Sequence, residues 1–147
     1  MTTARLVSTG RSHTWMLAVG GLILAACGGS SESPTSPSPT PSPVTATLSS
    51  IQNEIFTPRC ASCHGAIAPG GLDLRAANAF ANLVNSPSTQ TTLMRVAPGD
   101  PEASYLVHKL DGRSSIVGSR MPQGGPFLST TETNVVRAWI TAGAPNN

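Results

Sequence analysis

The chain has 147 residues, with 9 Lys and Arg against 7 Asp and Glu and a formal net charge of +2. That length holds one small domain with appendages. The surplus charge belongs to Arg5 and Arg11 at the extreme N-terminus, and the rest is balanced with no basic run, which excludes a nucleic-acid surface.

Residues 1–26 read as an export signal. Arg5 and Arg11 precede an apolar core from Trp15 to Ala26. This core is too short to span a bilayer, which takes about 20 residues, and has the length of a signal-peptide core. It ends in Leu24-Ala25-Ala26-Cys27, which resembles a bacterial lipobox. The resemblance implies cleavage before Cys27 and a diacylglycerol on its thiol, making Cys27 the anchor to a membrane. Several acyl chains hold firmly where one binds only marginally. The alternative is a cysteine that merely follows an ordinary signal peptide. Gly28 stands where an aspartate is associated with inner-membrane retention. The resemblance therefore favours the periplasmic side of the outer membrane, in a cell that has two membranes.

Residues 27–47 are then the lipidated cysteine and a Ser/Pro/Thr-rich linker. Pro34, Pro37, Pro39, Pro41 and Pro43 are separated by Ser and Thr, with too few apolar residues to bury a core. Semi-extended polyproline II at about 3.1 Å per residue lets such a run hold a domain up to roughly 60 Å from the lipid surface. The folded domain is expected at 48–147, small, poor in aromatics and marginal in core.

Leu48, Ile51 and Ile55 fall on one helical face, predicting a first helix that runs into Pro58 and the motif just after it. The pentapeptide Cys60-Ala61-Ser62-Cys63-His64 follows. Cys-x-x-Cys-His is the pattern of a c-type haem attachment site. Residues three apart share a face of a helical turn, so both thiols reach the porphyrin edge and add to its vinyl groups as thioethers. His64 is placed to offer an imidazole nitrogen to the iron. A redox disulfide or half of a zinc site uses the same cysteine spacing. Zinc needs two further ligands, but the remaining cysteine is Cys27, and His13 and His108 stand alone. A thioredoxin-like site needs a surrounding βαβ pattern, and the sequence has none. The expected cofactor is a single haem c, covalent through Cys60 and Cys63.

Ala76 to Val84 is a weaker, Ala-rich helix. Asp100-Pro101-Glu102 predicts a helix start, with Asp as N-cap, Pro in the first turn and an acid near the positive dipole end. That helix continues through Tyr105, Leu106 and Leu110 and stops by Gly112. Ser129-Thr130-Thr131-Glu132 is a capping box. It opens a last helix with Val135, Val136, Trp139 and Ile140 inward, ending near Gly143. No strand alternation is evident. The expected fold is all-α, about four helices wrapped around one covalently bound haem.

The distal position on the iron has three candidates: Met94, His108 and Met121. Met121 is favoured. It lies in Gly118-Ser119-Arg120-Met121-Pro122-Gln123-Gly124-Gly125, a loop able to wrap over a haem face. Pro122 restricts the Met121 backbone to extended conformations, and a thioether is a soft ligand suited to haem iron. The alternative for Met121 is ordinary apolar filler, against which its polar and Gly-rich neighbours argue. Met94 could equally be core, and His108 a surface or haem-edge residue.

With Cys-x-x-Cys-His early, a Met-Pro loop late and a closing helix bearing Trp139, the region from Leu48 to Ala144 resembles class I cytochrome c. Gly70-Gly71-Leu72-Asp73-Leu74, Arg120-Met121-Pro122 and the Trp139-Ile140 to Gly143-Ala144 ending look like small cytochrome c domains of exported bacterial proteins. The resemblance implies that the first and last helices cross beside the haem, that Cys60 and Cys63 carry the thioethers, that His64 is proximal and that Met121 is distal. It also implies a proline carbonyl on the proximal imidazole, for which Pro69 is positioned, although the usual Gly-Pro-x-Leu pattern is not kept. The expected function is one-electron transfer between other redox proteins, by a membrane-tethered carrier rather than an enzyme. The alternative is a haem enzyme or small-ligand sensor whose distal ligand is displaceable. A single haem motif argues against a dihaem peroxidase.

Overall fold

The computed structural model describes residues 43–67 and 69–147. The signal sequence, Cys27 and most of the linker lie outside the described residues. Among the described residues the regular structure is helical, without a β-strand; pairing between extended segments is limited to isolated bridges such as Val84 with Val96. No described helix is long and apolar enough to cross a membrane.

The first helix, α1, is a continuous run over 48–59, made of Leu48–Ile51, a π-helical stretch Gln52–Phe56 and Thr57–Arg59. The Thr47 hydroxyl caps it by accepting from Ser50 N–H. Pro58 lies within the run instead of stopping it. Pro58 has no N–H to give, and the wider turn just ahead of it carries the Thr57 N–H to the Gln52 carbonyl. Leu48, Ile51, Ile55 and Phe56 are buried, on the face the apolar spacing predicts. The folded edge reaches back into the expected linker: Val44 packs against the core, and Thr45 N–H donates to Ser50 Oγ at 2.9 Å.

The next two helices, α2 (Ala79–Leu83) and α3 (Tyr105–Asp111), begin later than the sequence pattern suggests. The reason is the same at both. Asp73 captures the Arg75 N–H at 3.0 Å and the Asn78 amide at 2.7 Å, holding residues ahead of α2 in a turn. Asp100 captures the N–H groups of Glu102 and Ala103 at 2.9 and 3.0 Å. Each aspartate caps a turn of its own. The α3 helix ends as predicted, at Gly112 in the left-handed region with φ 74°. A Cβ at Gly112 would lie 2.7 Å from Arg120 Cδ, so two separate constraints require glycine there.

The last helix, α4 (Thr130–Thr141), starts in the predicted capping box, with Ser129 and Glu132 satisfying each other's backbone N–H groups. Val136, Trp139 and Ile140 are fully buried, and Val135 packs at the core's edge. This helix touches both α1 and α3. Arg137 joins α4 to α3 through Asp111 at 2.5 Å, and Arg113 adds Glu102 at 2.6 Å. The chain ends close on the start of α1, where Leu48 N–H donates to Asn147 Oδ1 at 2.9 Å.

Glu132 also accepts from Arg59 at 2.7 Å, tying the motif end of α1 to the start of α4. Burial raises the Glu132 carboxyl, but the Ser129 N–H, the Ser129 hydroxyl and Arg59 together bring it below the usual range. Its contribution is therefore complete above the unfolded glutamate value of about 4.3 and is lost as pH falls through the lower folded value. Glu132→Gln is expected to cost up to about 1 kcal/mol at neutral pH. Urea titrations of both proteins should show that difference shrinking below about pH 4; a difference that grows on acidification contradicts this account.

Candidate functional site

Cys60 and Cys63 sit on the turn that follows α1. Cys60 N–H continues the helical bonding to the Phe56 carbonyl at 3.0 Å, and His64 N–H returns to the Cys60 carbonyl at 2.8 Å. The pentapeptide is thus one helical turn, as its spacing predicts. The thiols differ in setting: burial pushes Cys60 up to about 11, whereas Cys63 is exposed, and neither is in a disulfide.

His64 is fixed from behind. Its carbonyl accepts Leu74 N–H at 2.8 Å, and the Leu74 carbonyl accepts Gln52 Nε2 of α1 at 2.9 Å. Burial lowers the imidazole's pKa, and the Leu72 carbonyl opposes that shift. The expected Pro69 carbonyl makes no hydrogen bond to Nδ1 among the described residues. No hydrogen bond of good geometry forms at Nδ1, which is buried without a partner.

These residues open onto a cavity of about 370 Å³, inside the range of small-molecule and cofactor sites. Cys60, Cys63, His64, Pro69 and Met121 all line it. Phe56, Leu74, Leu83, Leu106 and Leu110 give it apolar walls. Met94 and His108 are not among its lining residues. Met94 is 41% exposed. His108 Nε2 lies 2.7 Å from the Glu102 carbonyl.

The loop carrying Met121 is held to α3. Met121 N–H donates to the Lys109 carbonyl at 2.9 Å, and Arg120 Nε donates to the Leu110 carbonyl at 2.7 Å. The Arg120 guanidinium also lies over the Phe127 ring, 4.3 Å from its centroid. Tyr105, buried on α3, accepts Val117 N–H at 2.9 Å and donates to Gln90 at 3.1 Å. Nothing in the sequence marks Tyr105 as the post between two loops, because both partners are distant in the chain.

The donor set fits a haem. A zinc site wants four ligands, and among the described residues no group of three or more His, Cys, Asp or Glu is arranged to hold a metal ion. What the cavity offers instead is two unpaired thiols on one turn, an imidazole with an orphaned buried nitrogen, a thioether and apolar walls. These match a flat apolar cofactor attached at its edge. Compared with protein families, curated proteins and solved structures, the chain shows no match.

Proposed function

We propose that the protein is an exported, membrane-tethered monohaem c-type cytochrome that transfers single electrons between redox partners. The observation that carries this reading is the convergence of Cys60, Cys63, His64 and Met121 on one cavity with apolar walls. Cys60 and Cys63 would hold the group covalently, with His64 proximal and Met121 distal. Bound there, haem supplies a ferric–ferrous couple, and methionine ligation raises its potential. The chain's own part is to hold the two donors and exclude water. The Leu74 and Gln52 links fix His64, and the α3 contacts fix the Met121 loop, so neither donor has to move when the charge on the site changes. The lipid on Cys27 and the Pro-rich linker would keep the carrier near membrane-bound partners on the periplasmic side, with the outer membrane favoured by Gly28.

Protein matured in a host able to attach c-type haem tests this reading. A positive pyridine haemochrome and a reduced spectrum unmoved by carbon monoxide are the expected results. Rapid carbon monoxide binding to the untreated protein would instead identify a ligand sensor or haem enzyme with a displaceable distal ligand. A negative haemochrome after correct maturation overturns the cofactor itself.

A further inference from the structure

The basic residues of the described chain fall into two sets. Arg59, Arg75, Arg113 and Arg137 each pair with a carboxylate. Arg95, Lys109 and Arg120 make no ion pair among the described residues. Arg120 is occupied by the Leu110 carbonyl and the Phe127 ring. The other two, Arg95 and Lys109, both line the cavity of His64 and Met121.

Their remaining contacts are neutral. Arg95 reaches the carbonyls of Asn82 at 2.9 Å, Gly70 at 2.8 Å and Gly71 at 3.2 Å. These bonds aim the guanidinium but leave its charge uncompensated, and its Nε–H has no partner in this set. Lys109 Nζ donates to the Val117 carbonyl at 2.8 Å, which leaves two of its three donors. Burial depresses both cations, and both lie near enough to push the His64 imidazole down. A partly desolvated cation without a counter-ion is costly, and two of them beside one cavity call for anionic charge within it. The neighbouring lining is polar as well: Ser88, Thr89, Gln90 and Gln123.

We infer that Arg95 and Lys109 are the carboxylate-binding pair of this site, taking the two anionic side chains of the porphyrin and so fixing which edge of the ring faces the 86–96 loop. The inference rests on the haem reading above. Arg95 supplies a planar fork held in place by Gly70, Gly71 and Asn82, and Lys109 a mobile point charge. The cysteines then fix one edge of the ring covalently while the cations fix another electrostatically.

Resonance Raman spectra and potentiometry of the haem-loaded protein test the pair. Arg95→Gln and Lys109→Gln are each expected to shift the carboxylate bending modes of the porphyrin, and Arg95→Lys to restore much of the native pattern. Each Gln variant should also lower the ferrous-to-ferric ratio at fixed potential by about tenfold, which is about 59 mV for one electron. Lys109→Gln removes only the tie to Val117, so it reports even where Arg95→Gln fails to fold. Bending modes unchanged in Lys109→Gln, and in Arg95→Gln where it folds, overturn the pair, even if the potential moves through space. A negative haemochrome in the wild type overturns the haem reading and this pair together, so the two failures are distinguishable.

Discussion

Met121→Ala is expected to open the iron of the haem-loaded protein to carbon monoxide and to lower its potential by on the order of 0.1–0.2 V, a modest part of the roughly 0.8 V that axial ligands span. Met94→Ala and His108→Ala should change neither. The contrast follows from placement. Met121 lines the cavity with His64, and the other two do not. Met94 uses its backbone carbonyl to receive Tyr105 N–H at 2.9 Å, and the residue is 41% exposed. His108 is engaged with the Glu102 carbonyl at 2.7 Å. The substitution is also clean. The Met121 loop hangs on the backbone N–H of Met121, on Arg120 and on Val117, none of which the alanine removes. Loss of the thioether should therefore leave the loop in place with a vacant position behind it. Spectra and potential unchanged in Met121→Ala would sink the distal assignment, and Met94 would then be the first alternative.

Local chemistry was legible in the sequence, and the long-range partnerships were not. The Cys60–His64 turn, the Ser129–Glu132 capping box and the Gly112 stop each depend on residues within a few positions of one another. Local rules suffice for these. Asp73 and Asp100 show the limit of those rules. Both carry cap chemistry, but a cap can close a single turn as readily as open a helix, and the neighbouring contacts decide which. The π-helical stretch before Pro58 is a related case, since a proline can be absorbed by a wider turn as well as stop a helix. Arg95, Lys109 and Tyr105 were missed because their roles exist only after folding. Arg95 reaches Gly70, 25 positions away, and Tyr105 reaches Gln90, 15 positions away. The charge balance gives no signal for them either, because acids and bases beyond the N-terminal segment are balanced.

Trp139→Ala is expected to cost about 3–5 kcal/mol of folding free energy. The indole is fully buried, and its Nε1–H donates to the Pro145 carbonyl at 2.9 Å. Alanine would therefore leave both a cavity and an unpaired carbonyl at the chain's end. The same end is folded over Trp139 by the Ala144 N–H, which returns to the Trp139 carbonyl at 2.9 Å. A small domain has only about 5–15 kcal/mol in total, so the loss takes a large share of it, and urea unfolding followed by circular dichroism should show a much lower midpoint. Trp139→Phe keeps most of the ring and loses the hydrogen bond, so its cost should be nearer 1–2 kcal/mol. The two variants also separate stability from the iron. Trp139 does not line the cavity of His64 and Met121, although the family resemblance puts the helix that bears it beside the haem. Any folded fraction of either variant should therefore keep the wild-type spectrum and potential. A Trp139→Phe protein of near-native stability whose potential is displaced would place the indole against the cofactor and contradict this packing.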